Sequence, residues 1–194
     1  MKYQQLADNM QAIMETTAGN ITIELFTETM PITAGNFVDL VQQGYYDGLH
    51  FHRVIKGFML QAGCPYSVDP NSQHAGTGGP KGGGKYTTSG GKTIVRNRGG
   101  NIPDEHPENA QYTNEVGTLS MANTGRPDSG GSQFFINTKH NNFLDWWDKT
   151  SPSGHPVFGR VIEGMDVVRA IENTPTSRSD RPKEPQKIIS VRME

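Results

Sequence analysis

Residues 51–63 read FHRVIKGFMLQAG, and the way side chains alternate in this stretch decides the fold. On an extended chain, successive side chains point to opposite faces. His52 and Val54 therefore share one face, and Phe51, Arg53 and Ile55 the other. Arg53 projects from an otherwise apolar strand face. Taken alone, it reads as a snorkelling side chain laid over core residues. Phe58, Met59 and Gln61 then add two large apolar groups and an amide.

Outward from this stretch the same period of two recurs. Residues 11–16 and 20–26 form a hairpin in which Ile21, Ile23 and Leu25 alternate with Thr22, Glu24 and Phe26, with Ala18-Gly19-Asn20 as the turn. Further short strands are expected at 50–55, 58–61, 93–96, 117–121, 133–137 and 157–162, and a last one at 187–193. Pro31 suits the first position of a helix, Ala34, Phe37, Val38 and Val41 make one apolar stripe, and Gly44 is placed to end the helix. A second helix covers 165–172, with Val167, Val168 and Ile171 on its buried side. Many short strands and two distant helices predict a mainly β domain, a barrel or sandwich, spanning residues 1–194 as one unit. Residues 65–115 are irregular and rich in Gly, Pro and Asn, and residues 145–156 form a shorter loop with both tryptophans.

Bulk properties narrow the function. A net charge of -2 gives no electrostatic footprint for nucleic acid or an anionic membrane, so neither is expected as a partner. The single cysteine, Cys64, excludes an internal disulfide and a cysteine-clustered zinc site. The first twenty residues hold no apolar run of signal-peptide type and no stretch is long enough to cross a bilayer, so the expectation is a cytoplasmic monomer.

Two more segments carry candidate chemistry. GTLSMANTGRPDSGGSQFFINT (117–138) is two strands around a turn of Asn123, Gly125, Pro127, Asp128 and Gly130, with Gln133 and Phe135 on one strand face. NNFLD (141–145) and HPVFGRV (155–161) add apolar groups and the imidazole of His155. Competing signals are weaker. Gly79 to Tyr86 has the spacing of a phosphate loop through Lys85, but Tyr86 stands where Ser or Thr must reach magnesium. His50 and His52 form an H-x-H pair, yet His74, His106, Asp104 and Glu105 lack ligand spacing; His52 reads as a buried, hydrogen-bonded structural residue, and no metal or cofactor is expected.

FHRVIKGFMLQAG, GTLSMA, SQFFI and VFGRV, in this order and approximate spacing, resemble the cyclophilin family of peptidyl-prolyl isomerases. The resemblance implies a closed eight-stranded antiparallel β-barrel with two capping helices, and an enzyme, helped by no cofactor, that rotates X-Pro bonds in unfolded or native protein clients. It implies that Arg53 is catalytic, that Phe58, Met59, Phe135 and Leu144 line a proline pocket with His155 at its rim, and that Gln61, Ala122, Asn123 and Gln133 bind substrate backbone. Gly76 and Thr124 would edge a neighbouring subsite. Phe143 stands where many eukaryotic members carry tryptophan, which implies weak cyclosporin binding. A module that binds proline peptides with incidental turnover is the alternative.

Overall fold

A computed structural model describes residues 10–194, so the leader-free reading of the N-terminus rests partly on residues 1–9, which lie outside it. Strands β1 (Gln11–Thr16) and β2 (Gly19–Leu25) form the expected hairpin. The turn is only Thr17 and Ala18, because Thr16 already pairs with Gly19. Gly19 has φ +130°, and a Cβ there would lie 2.8 Å from Val167 Cγ2, so glycine is needed for both conformation and space.

Six further strands complete the main sheet: β3 (Arg53–Ile55), β4 (Met59–Ala62), β7 (Thr118–Met121), β8 (Phe134–Asn137), β9 (Val157–Glu163) and β10 (Ile188–Met193). Their order is β10-β1-β2-β9-β7-β8-β4-β3, and every pairing is antiparallel. The sheet is an open half-barrel, which corrects the closed barrel expected from sequence. The cause lies at its edges. β3 has three residues, and the Val54 N–H on its free edge donates to Asp180 O (2.8 Å) in the 175–186 loop. Ties between the two ends fall ahead of β3 and at or just before the start of β10: the isolated His50–Lys187 bridge, Phe51 N–H to Gln186 O (2.9 Å) and Ile188 N–H to Leu49 O (2.8 Å).

Inside the curved sheet, Ile21, Ile23, Leu25, Leu60, Leu119, Phe134, Ile136 and Phe158 form the main core. Phe51 joins Val54 in it, so the expected grouping of Phe51 with Arg53 does not hold. Residues 50–52 precede the paired strand, and strict alternation begins only at Arg53. Helix α1 (Pro31–Gln42) packs against β9 and β10, and α2 (Met165–Glu172) against β2, β3 and β4. The α1 stripe is buried as expected, with Phe37 stacked on Tyr46 at 5.0 Å. Gly44 follows the helix at φ +66°. No side chain of its own caps α1. Instead the Glu105 carboxylate, 72–73 residues away, accepts the N–H groups of Ile32 (2.8 Å) and Thr33 (2.7 Å).

The glycine-rich stretch is a small hairpin, β5 (Lys85–Thr87) with β6 (Thr93–Val95), and not a phosphate loop. Tyr86 and Ile94 pack with Ile102 and Met121 against Ile32. Buried Arg96 pins the hairpin to α1, donating to Asn36 Oδ1 (2.9 Å) and Asp39 Oδ2 (2.6 Å) beneath the Tyr86 ring.

Candidate active site

Register places the candidate residues in rows on the outer face of the sheet. Arg53 pairs with Gln61 across β3 and β4, and Gln61 with Phe135 across β4 and β8. One row therefore carries a cation, an amide and a ring. The row beside it brings Ile55 opposite Met59. Met59, Phe135 and Leu144 form a separate apolar cluster, with Ile55, Phe58 and Ala122 packed around it. This cluster is cut off from the main core by the sheet itself. The sequence places Ile55 on the Arg53 face, and the structure adds it to this cluster, a role the sequence reading did not assign.

Arg53 is exposed and stands beside this apolar cluster. Its Nη1 donates to Gln61 Oε1 at 3.3 Å, and its other N–H groups have no partner among the described residues. A guanidinium has five donors in a rigid fork, so most of its capacity faces whatever enters. Gln61 Nε2 donates in turn to Gln133 Oε1 (3.0 Å), and Gln133 Nε2 to the carbonyls of Gly76 (3.0 Å) and Gly78 (2.9 Å). The relay runs one way and fixes both amide orientations. It also makes Gln133 a clamp on the glycine loop.

His155 borders the cluster, its ring edge-on to Phe135 at 5.4 Å. Its Nδ1–H donates to Met121 O (2.9 Å), and Nε2 accepts from the Ser153 hydroxyl (3.1 Å). Burial lowers its pKa, against the smaller upward pull of the Met121 bond, which favours the neutral ring this pattern requires. Phe143 is largely exposed and stacks on Phe58, centroids 6.1 Å apart. Beyond Gln61 and Gln133 runs a groove of about 700 Å³ whose walls include Gly76, Asn101, Ala122, Thr124 and Arg126. Asn101 and Arg126 were not singled out in the sequence, which offers no signal for them.

All the candidate residues come together around this cluster and groove, but two differ in detail from expectation. The Asn123 side chain is already occupied: Nδ2 donates to Gly154 O (2.7 Å) and Oδ1 accepts from Gly125 N–H (2.9 Å). Its main chain makes no bond of its own among the described residues and is left to meet a peptide, beside the second Nδ2 proton. His52, expected to be hydrogen-bonded, sets neither ring nitrogen in good hydrogen-bond geometry among the described residues, and only minor upward pulls come from the Gln133 side chain and the His50 main chain. Burial, with Arg181 and Arg53 nearby, lowers its pKa to about 4.

An apolar cluster edged by a donor-rich cation and flanked by an open groove has the shape and chemistry to receive an extended chain, and relatives identify the family. Residues 11–193 match the model of the cyclophilin type peptidyl-prolyl cis-trans isomerases. The chain belongs to the cyclophilin family. A peptidyl-prolyl cis-trans isomerase of Acinetobacter baylyi is 40% identical over 189 residues, covering 95% of this chain and 86% of that protein. One from Arabidopsis thaliana is 41% identical over 179 residues, covering 92% of this chain but 24% of its own length, so the cyclophilin domain also occurs as about a quarter of larger proteins. A crystal structure of a Cryptosporidium parvum cyclophilin in the presence of the dipeptide Ala-Pro aligns with a TM-score of 0.73 and 28% identity, covering 95% of this chain and 98% of that one.

Proposed function

We propose that this cyclophilin rotates X-Pro bonds by holding the proline ring on the Met59, Phe135 and Leu144 cluster while Arg53 donates to the twisting amide. The observation that carries the reading is the row Arg53–Gln61–Phe135, which sets a largely unpartnered guanidinium beside the apolar cluster of Met59, Phe135 and Leu144. Amide resonance opposes rotation with a barrier of about 18–20 kcal/mol. As resonance is lost the prolyl nitrogen gains a basic lone pair, and a fixed donor there stabilises the transition state more than the ground state. No bond forms or breaks, and no proton is permanently moved.

The Gln61 carboxamide holds one Arg53 nitrogen and leaves the rest of the fork to the substrate. Residues preceding proline run along Ala122 and Asn123, pairing with main-chain groups, and into the groove edged by Gly76 and Thr124. The chain works as one domain and a monomer, in the cytoplasm, assisting folding or acting on proline loops of native clients. Phe143 lacks an indole N–H, so cyclosporin binds weakly.

Arg53→Ala removes the donor from an exposed position, so folding should be unchanged. We expect kcat/KM on an Ala-Pro tetrapeptide to fall at least about a hundredfold, the scale of losing one transition-state donor. Near-normal turnover in a cis/trans exchange assay would reject this role for Arg53.

A further inference from the structure

The loop of residues 145–154 supplies none of the proline cluster, although its Ser153 hydroxyl bonds the rim residue His155 (3.1 Å), and it is rooted firmly at both ends. At one end the buried Asp145 carboxylate accepts from the Thr113 hydroxyl (2.6 Å), the Asn114 N–H (2.7 Å) and Asn114 Nδ2 (2.8 Å). At the other, His155 N–H donates to Leu144 O (2.9 Å). Between them the loop folds back on itself. A Cβ on Gly154 would lie 2.7 Å from both Cα and Cβ of Trp146, so only glycine lets that peptide lie against the tryptophan.

From this fold-back a circuit of contacts encloses the turn 123–128. Gly154 O accepts the Asn123 side-chain amide at one end of the turn. The Trp146 indole stacks on His106, centroids 5.0 Å apart and planes within 6°, with Trp147 edge-on to it at 5.3 Å. His106 is two residues from Asp104, whose N–H donates to Asp128 Oδ1 (2.7 Å) at the other end of the turn. Thr124 to Asp128 are exposed, and Asp128 sits at φ +52°. Few contacts internal to the turn fix its shape: Gly125 N–H to Asn123 Oδ1, Thr124 N–H to Ser129 Oγ, and Ser129 Oγ to Arg126 O. The same turn supplies one wall of the groove.

We propose that the 145–154 loop is a strut that holds the 123–128 turn in its peptide-receiving shape, with Trp146 and Gly154 as positioning residues acting through Asn123. The inference rests on the reading that residues preceding proline bind along Asn123. A braced turn loses less conformational freedom when a peptide docks, which favours binding. The strut touches neither Arg53 nor the rotating bond, so ground state and transition state gain alike. Its loss therefore raises KM and leaves kcat alone.

The test measures kcat and KM separately on an Ala-Pro tetrapeptide. Trp146→Ala should raise KM about tenfold with kcat within about twofold, and Trp146→Phe, which keeps a ring on His106, should recover most of the loss. Asn123→Ala should raise KM similarly, and the double variant Trp146→Ala/Asn123→Ala should be no worse than either single one, because both break the same circuit. Gly154→Ala, which displaces Trp146 without removing it, should act in the same direction. Additive effects, an unchanged KM or a fall in kcat alone would overturn the strut. Should the tryptophan variant not fold, slow exchange of the Asn123 side-chain amide protons in the unmodified protein supports the strut, and fast exchange overturns it. An inactive unmodified protein would instead overturn the underlying reading of the site.

Discussion

Arg53 depends on its neighbours for both meaning and geometry. Its identity as a donor could not be read from one position, since an arginine on a strand is ordinarily a surface residue. It became readable because FHRVIKGFMLQAG, GTLSMA, SQFFI and VFGRV together resemble the cyclophilin family, and the structure then sets Gln61 and Phe135 in one row with it. The relay through Gln133 was not readable. Nothing in the sequence says that Gln133 Nε2 ends on the Gly76 and Gly78 carbonyls, 57 and 55 residues away. The relay leads to a prediction at this scale. Gln61→Ala frees Arg53 Nη1 and leaves Gln133 Oε1 without its donor, so both the guanidinium and the glycine loop lose a restraint. Activity should drop about tenfold, the cost of a loosened but present catalytic group, whereas stability should move by less than about 1 kcal/mol at this half-buried site. Steady-state kinetics and a urea melt on the same sample separate the two. A stability loss large enough to account for the activity loss would reject the relay as a positioning device.

At the level of elements, strands with clear alternation were legible to within a few residues, and α1 began and ended where Pro31 and Gly44 indicated. The hairpin at 85–95 was half legible. Lys85–Thr87 is three residues set among glycines, too short for a period to show, and its stability comes from Tyr86 and Arg96 docking on α1 rather than from its own pattern. Sheet closure was misjudged for a related reason: loop 175–186, without periodicity, takes the edge of β3 through Asp180. The cap of α1 shows most plainly how distant segments complete an element. Glu105 supplies an acceptor for two N–H groups at the helix start, where the first turn has no acid of its own. Glu105→Ala strands both donors and should cost about 2 kcal/mol, the range of a lost cap combined with buried unmet donors. Glu105→Gln keeps one carbonyl acceptor and should cost about half as much. Denaturant midpoints at neutral pH check the order; equal losses in the two variants would mean that Glu105 acts by packing and not as a cap.

For the whole molecule, imidazoles shifted by their surroundings set how stability responds to acid. Burial lowers the pKa of His52 to about 4, with Arg181 and Arg53 adding to it, and burial likewise lowers His106 and His155. The unfolded chain takes up protons on these rings near the ordinary value of 6.5, while folded His52 does not do so until about pH 4. Between those two values the unfolded state binds more protons, so stability must rise with pH across this window. The contribution is complete above pH 6.5, declines as the pH falls, and levels off below about 4. Glu105 works in the opposite sense: burial raises its pKa above 4.5, so its carboxyl favours the folded state less as the pH climbs past that value. The histidines should prevail, because the His52 displacement alone is worth a few kcal/mol at about 1.4 kcal/mol per unit, with His155 adding to it, while exposed His106 adds little. Urea midpoints measured from pH 4 to 7 should therefore rise, and in His52→Asn the rise should be clearly shallower. An unchanged slope in that variant would show that His52 is not the group that resists acid. The neutral ring matters for the site as well, since a protonated His52 would place a second cation next to Arg53.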